Sequence, residues 1–145
     1  MGDDVMETTA YDLATAYDIS RKELVFCDAD RPVRKVARDF YEKGIGSMIV
    51  TEDGDYIGFV TDQNIFRAIS EDVDVRSARV GDLKLDPLNK IKHDATLSEV
   101  ASLFAETRAT RLAVVDDEGK VVAVVKKKNL ELLDRFNIAA SMVRD

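Results

Sequence analysis

Hydrophobic and polar positions follow the same order twice along this chain. In the first copy, the short apolar run at residues 24–27 predicts a strand. Apolar residues then recur at the i, i+3, i+4, i+7 spacing that places them on one buried helix face: Val33, Val36, Ala37 and Phe40. Asp30 and Pro32 suit the start of this helix, and Gly44 suits its end.

A hairpin and a second helix complete the first copy. Residues 47–51 and 56–60 are apolar runs that flank the acidic turn 52–55, which contains Gly54 where a positive φ is favoured. Residues 64–69 predict a helix, and the charged residues 71–76 predict a connector. The predicted order of the first copy is therefore β-α-β-β-α.

The second copy repeats this order with its own terminal signals. Thr96 and Glu99 fit a capping box, in which the two side chains bond to free backbone N–H groups of the first helical turn. An apolar helix face follows, made of Leu97, Val100, Ala101 and Phe104. The valine-rich runs 112–116 and 121–125 predict a hairpin whose strands are buried on both faces. Residues 129–143 predict a longer terminal helix with a surplus apolar face.

The two copies are related by a shift of about 64 residues. This shift places identical residues on each other: Asp18 on Asp82, Leu24 on Leu88, Asp30 on Asp94, Phe40 on Phe104 and Val50 on Val114. Units of this size bury little core alone, so we expect them to pack face to face about a pseudo-twofold axis. The sequence thus predicts a mixed α/β fold of the α+β type, with an extension (1–15), a first repeat (16–76) and a second repeat (77–145).

Composition limits the classes of function. The chain has 145 residues, 46% of them hydrophobic, which suits one globular protein. Its formal charge of −7 argues against binding along a nucleic-acid backbone. No apolar run approaches the roughly 18 residues of a membrane span, and the acidic start is unlike a signal peptide. We therefore expect a cytoplasmic protein that binds neither nucleic acid nor membrane.

Residues suited to catalysis or metal binding are few. Cys27, the only cysteine, lies in a predicted strand and is interpreted as a small buried hydrophobic residue rather than a nucleophile. His93 is the only histidine, so no histidine cluster for a metal and no conventional triad is available. The sequence predicts no enzyme activity, no metal site and no required cofactor.

At this point the chain resembles a known family, the cystathionine-β-synthase (CBS) domain. Many weak matches, none sufficient alone, fall in one order twice, over residues 18–19, 24–25, 47–50, 53–54, 56–61 and 64–65, and again over 81–83, 94–97, 111–116 and 119–125. The resemblance implies a tandem pair, or Bateman module. Such pairs often bind adenine nucleotides in clefts between the repeats and often form dimers, and they usually regulate other proteins without catalysing a reaction.

The first copy carries most of the family's nucleotide motif. In nucleotide-binding members a strand ends in Gly-hydrophobic-X-Thr/Ser-X-X-Asp, with the hydroxyl near phosphate and the carboxylate on the ribose hydroxyls. Here the motif residues are Gly58, Thr61 and Asn64, with Asp62 between them, so an amide replaces the final carboxylate. That change removes a charge-assisted hydrogen bond. Thr61 and Asn64 also suit helix capping, and the two roles are compatible.

The second copy departs further from the motif. Its equivalent segment is residues 123–129, with neither threonine nor acid, ending in Asn129. Lys126, together with the two lysines that follow it and Arg111, predicts either a phosphate-binding cleft or a solvated basic run.

The resemblance also implies adenine-pocket walls for both clefts. Those facing the second-copy segment are Arg31, Val36, Ile45 and Gly46, and those facing Thr61 and Asn64 are Ala95, Val100, Ala109 and Thr110. Arg31 is bulky for a pocket wall, so it either folds over the base or blocks it.

Two functions remain open at this stage. The first is a regulatory module that binds an adenine nucleotide, such as AMP, ADP or ATP, and signals to an unidentified partner protein. The second is an interaction or dimerisation module that keeps the fold without the ligand. We also expect a homodimer that buries the surplus apolar helix faces, built from Leu130, Leu133 and Phe136 with Ile65 and Ile69.

Overall fold

The computed structural model describes residues 10–143, with side chains over residues 12–135. In chain order the elements are α1 (Ala10–Leu13), β1 (Phe26–Asp28), α2 (Val33–Lys43), β2 (Ser47–Glu52), β3 (Asp55–Thr61), α3 (Asp62–Ser70), a 3₁₀ turn (Val80–Asp82), β4 (Lys90–Lys92), α4 (Leu97–Thr107), β5 (Arg111–Val115), β6 (Val121–Lys126) and α5 (Lys127–Val143). The acidic start of the chain, for which a prediction was made, lies outside the described residues.

The chain forms two compact units. The first-copy unit is Leu24–Leu88, and the second-copy unit combines residues 10–23 with residues 89–143. Residues 16–23, grouped with the first repeat by sequence, therefore lie in the second-copy unit. They are held there by Ala16, whose N–H donates to the carbonyl of Ala95 at 2.9 Å, and by a two-way backbone pair between Arg21 and Val124.

Each unit contains one three-stranded sheet with the same topology. In the first-copy unit β1 pairs with β2 in parallel and β3 pairs with β2 antiparallel. In the second-copy unit β4, β5 and β6 repeat this arrangement. Even the register irregularity recurs, after Val50 in one hairpin and after Val114 in the other. The predicted β-α-β-β-α order and the mixed α/β class are confirmed in both copies.

Helix α2 forms where the apolar spacing predicts it. Val33, Val36 and Phe40 are buried on one face and pack in the core of the first-copy unit. Gly44 ends the helix with φ +63°, a left-handed conformation that glycine adopts without a Cβ penalty. The predicted helix end is confirmed.

Helix α4 is capped in a simpler way than the sequence predicts. The hydroxyl oxygen of Thr96 accepts from the Glu99 N–H at 3.1 Å. The Glu99 carboxylate does not reach back to the Thr96 backbone, because it contacts the Thr96 hydroxyl at 3.2 Å. Only half of the predicted capping box therefore forms. The neighbouring strands β5 and β6 are almost entirely buried, which confirms the interpretation of their valine-rich runs.

The predicted surplus of apolar residues on the second helix of each copy is wrong for two of its members. Leu130 is 4% exposed and belongs to the core of the second-copy unit, and Ile65 is 6% exposed in the core of the first-copy unit. Leu133 packs partly against its own core, whereas Ile69 is exposed. The side chain of Phe136 lies outside the described residues. These helices use most of their apolar faces inside their own units.

Candidate functional site

The motif of the first copy forms a polar corner where β3 passes into α3. This first-copy corner comprises Gly58, Thr61, Asn64 and Asp86. Thr61 is the N-cap of α3, and its hydroxyl oxygen accepts from the Asn64 N–H at 3.1 Å. In return, the Asn64 Oδ1 accepts from the Thr61 N–H at 2.8 Å. The capping interpretation of both residues is confirmed, and their contact with a ligand stays a prediction.

Both polar atoms of the Asn64 amide are hydrogen-bonded within this corner. Its Oδ1 is bonded to Thr61, and its Nδ2 donates to the Asp86 Oδ1 at 3.0 Å. Asn64 is 8% exposed and Thr61 is 1% exposed, so both belong to the few buried polar residues of the described chain. Burial of such groups is tolerated because each has a hydrogen-bond partner.

Asp86 is a member of this corner that sequence reasoning missed. Its backbone forms a two-way pair with Phe59 of β3, with N···O distances of 2.9 and 3.0 Å. This close approach requires glycine beside it, since a Cβ on Gly58 would lie 2.8 Å from the Asp86 carbonyl oxygen and 3.0 Å from the Leu85 Cβ. The segment is therefore fixed firmly against β3, and it carries a carboxylate beside Asn64.

The equivalent position in the second-copy unit forms a basic corner. This second-copy corner comprises Arg21, Thr110, Arg111, Lys126 and Asn129. Arg111 and Lys126 are paired across β5 and β6, and the N–H of residue 127 donates to the Thr110 carbonyl at 2.9 Å. Asn129 is exposed, in contrast to the buried Asn64. The predicted basic cluster is thus brought together at one strand end.

The Arg111 guanidinium makes few hydrogen bonds within the described residues. Its Nη1 lies 3.5 Å from the Thr110 hydroxyl. Its Nε is buried and has no hydrogen-bond partner within the part of the chain that the structure describes. Buried polar atoms without partners are rare in folded proteins. This guanidinium is therefore a candidate for binding an anion.

Asp62 faces a different part of the first-copy unit. Its Oδ1 accepts from the Gln63 N–H at 2.8 Å, and its side chain borders a cavity of about 340 Å³ between α2 and α3. The other residues around this helix groove are Ala37, Phe40, Tyr41, Ile45, Ile65 and Phe66. Tyr41 is 89% exposed at its rim. The groove is mainly apolar, with one acidic group.

The residues assigned to adenine-pocket walls occupy different environments. Val36, Val100 and Ala95 are buried in the cores of their own units. Ile45, Gly46 and Ala109 are half-buried, and Thr110 is exposed. The half-buried and exposed residues are therefore accessible to a ligand, whereas the core residues are not.

Arg31 is held against helix α2. Its Nη2 lies 2.6 Å from the Asp39 Oδ2, and its Nη1 lies 3.9 Å from the Met48 sulfur. The Asp39 carboxylate also lies 4.0 Å from the Lys43 ammonium. Arg31 is thus fixed by an ion pair on its own unit.

The other candidate groups do not form a catalytic arrangement. Cys27 is buried, and desolvation raises the pKa of its thiol to about 11, with Arg31 acting in the opposite direction. The His93 Nε2 lies 3.2 Å from the Asp117 Oδ1 at the protein surface. Within the described residues, no group of three or more Cys, His, Asp and Glu side chains is arranged to hold a metal ion. None of the described helices has both the length and the apolar content needed to cross a bilayer.

Comparisons with known proteins support the repeat and the fold. The sequence model of the CBS domain matches residues 16–71 and 80–131. An uncharacterized protein of Methanopyrus kandleri is 21% identical over 124 residues, or 84% of this chain, and the chain spans only 63% of the length of that relative.

Two solved structures show the fold relationship. An uncharacterized conserved protein from Pyrococcus horikoshii is 24% identical with a TM-score of 0.73, over 86% of this chain and 94% of that one. A hexameric CBS-CP12 protein from bloom-forming cyanobacteria is 20% identical with a TM-score of 0.70, over 81% and 69%. At these identities the likeness concerns the fold.

Proposed function

This chain belongs to the CBS domain family, whose tandem pairs are regulatory modules, and we propose that it binds an adenine nucleotide and signals its presence to a partner protein. The observation that carries the proposal is the Arg111 guanidinium with its unsatisfied buried Nε. A phosphate group offers two oxygens that can accept hydrogen bonds from the planar guanidinium, which lacks such a partner here.

The surroundings of Arg111 support a phosphate rather than a carboxylate ligand. Lys126 is paired with Arg111 across the sheet, and Lys127 and Lys128 follow in the first turn of α5. The start of a helix adds unpaired backbone N–H groups and the positive end of the helix dipole. A ligand with several negative charges gains more from this concentration of positive charge than a ligand with one.

The module acts without chemistry of its own under this proposal. A nucleotide shifts an equilibrium between two states of the protein only if it binds one state more tightly than the other. The regulated partner responds to that shift because its affinity differs between the two states. The charged and hydrogen-bonding groups at both corners support this proposal.

The direct test is binding of adenine ligands to the complete chain. Isothermal titration calorimetry should show affinity that increases from adenosine to AMP to ATP, because each added phosphate meets positive charge. Adenosine binding as tightly as ATP would remove the role of Arg111 and Lys126. If none of AMP, ADP, ATP, S-adenosylmethionine and NAD gives heat or shifts the melting temperature, the proposal fails.

A second candidate, an interaction module without a nucleotide, is favoured by the helix groove. Tyr41, Phe66 and Ile69 expose apolar surface on α2 and α3, which soluble monomers usually limit. We propose that a second copy of this chain covers it, giving a homodimer. The hexameric cyanobacterial relative is an assembly of the same domain type, which supports self-association.

Light scattering tests the dimer and the choice of face. We expect about twice the chain mass of 16.2 kDa at micromolar concentration. Phe66→Asp should yield a monomer, because burying an unpaired carboxylate in an apolar interface costs roughly several kcal/mol. Leu13→Asp, at an exposed leucine of α1, is the control and should leave the mass unchanged. A wild-type monomer would contradict the proposed face.

A further inference from the structure

We propose that Asp86 supplies the carboxylate that binds the ribose hydroxyls of a nucleotide at the first-copy corner. This inference rests on the proposed function, and it assigns to a residue outside the motif the role that the resemblance implied for residue 64. It makes the corner selective for ribonucleotides over deoxyribonucleotides.

Asn64 is unsuited to this role because its amide is buried and both of its polar atoms are already hydrogen-bonded within the corner. Its Oδ1 accepts from the Thr61 N–H at 2.8 Å, and its Nδ2 donates to Asp86 at 3.0 Å. The amide retains a second N–H and a second acceptor lone pair. At 8% exposure, however, a ribose hydroxyl could reach them only by displacing groups that pack around Asn64.

Asp62, the other acid near the motif, is directed elsewhere. Its Oδ1 accepts from the Gln63 N–H, and its side chain borders the helix groove together with Phe66. Among the described residues, Asp86 is therefore the carboxylate that hydrogen-bonds to the motif itself.

Asp86 has the geometry of a prepared acceptor. Its backbone is fixed by both hydrogen bonds to Phe59, and the lack of a Cβ at Gly58 allows this close approach. Its Oδ1 is oriented by the Asn64 amide. Among the side chains that the structure describes, 12–135, none donates to its Oδ2, and the residue is half-buried, so this oxygen can accept from a donor such as a hydroxyl.

The pairing also explains why position 64 carries an amide. An aspartate at 64 would place a second carboxylate about 3.0 Å from the Asp86 Oδ1. Two carboxylates at that distance disfavour each other's ionised form. A single carboxylate avoids this repulsion, and in this chain Asp86 carries it instead of residue 64.

A charge-exchange series tests the assignment by calorimetry with ATP, 2′-deoxyATP and 3′-deoxyATP. Asp86→Asn keeps the shape and an acceptor for Asn64, and should weaken ATP by about tenfold to a hundredfold, as expected for loss of a hydrogen bond to a charged group. The double variant Asn64→Asp/Asp86→Asn returns one carboxylate to the corner and should recover most of that loss. Asp55→Asn, at the exposed far end of β3, is the matched control and should bind ATP like the wild type.

The outcomes separate this inference from the proposed function. If wild-type protein binds ATP but Asp86→Asn binds it equally well, Asp86 has no role with ribose and the nucleotide proposal stands. Equal wild-type affinity for ATP and both deoxy analogues overturns the inference in the same way. If the wild type binds none of the three, both proposals fall. Melting temperatures of all variants show whether a loss of binding comes with a loss of folding.

Discussion

The two corners have equivalent main-chain hydrogen bonds but different side chains. Thr61 pairs with Ser47 at the end of one hairpin, and Lys126 pairs with Arg111 at the end of the other. Immediately afterwards the N–H of Asp62 donates to the Gly46 carbonyl at 3.2 Å, and the N–H of Lys127 donates to the Thr110 carbonyl at 2.9 Å.

The segment that pairs with the last strand of each sheet is also equivalent. Asp86 pairs with Phe59 in the first-copy unit, and Arg21 pairs with Val124 in the second-copy unit. The residue that pairs with the strand is thus acidic at the first-copy corner and basic at the second-copy corner. The difference teaches that the repeat conserves main-chain pairing, while the side chains at the same position are free to acquire opposite charge and different burial.

The largest expected contrast is between the two asparagines. Asn64→Ala should lower the free energy of unfolding by about 2–4 kcal/mol, because it leaves the Thr61 N–H and the Asp86 carboxylate without partners and removes a cap contact. Asn129→Ala, at an exposed position, should change it by no more than about 0.5 kcal/mol. Urea denaturation of both variants measures the difference. Equal losses would show that the corners are not as different as their burial indicates.

A smaller contrast in stability is expected in the strands that precede the corners, at Gly58 in β3 and its counterpart Ala123 in β6. Gly58→Ala should cost about 1–3 kcal/mol, since the added Cβ would lie 2.8 Å from the Asp86 carbonyl oxygen. Ala123→Gly should cost about 1 kcal/mol, mainly through added freedom of the unfolded chain. Denaturant midpoints at constant slope report both values. A Gly58→Ala variant as stable as the wild type would mean that the 85–86 segment is not fixed against β3.

The smallest expected effect concerns ligand affinity at the basic corner. Arg111→Gln should weaken ATP by about threefold to tenfold, as for one hydrogen bond to a charged group that is partly exposed. It should also reduce the dependence of affinity on salt, because screening acts on exposed charges. Lys120→Gln, in the turn at the far end of the same hairpin, is the control. An identical salt dependence in Arg111→Gln and the wild type would remove Arg111 from the phosphate site.

The elements of both copies were predictable because their signals are local. The apolar spacing from Val33 to Phe40 defines the eleven-residue helix α2, and Gly44, directly after it, defines its end. The hairpins follow from apolar runs on either side of an acidic turn with Gly54 or Gly119, both of which have φ +85°. Such features require no knowledge of distant parts of the chain.

The missed features depend on contacts between distant residues. Asp86 lies 22 residues from Asn64, and nothing near Asp86 in the sequence indicates that it returns to β3. Its signal was indirect, in the glycine at position 58 that allows the close approach. The burial of Leu130 was misjudged for a similar reason, since a periodic pattern identifies the apolar face of a helix but does not identify what covers that face.

The single buried cysteine makes the opening equilibrium of the first-copy unit measurable by itself. Cys27 lies in β1 of the first-copy unit, and the protonated thiol of a native molecule reacts slowly because the thiolate is the reactive form. Labelling at mildly alkaline pH therefore proceeds through molecules in which this unit has opened. The ratio of that rate to the rate in denatured protein gives the opening equilibrium of the first copy alone. Ligands that bind the first-copy unit should slow labelling. The labelling rate of Cys27 therefore reports ligand occupancy of that unit alone.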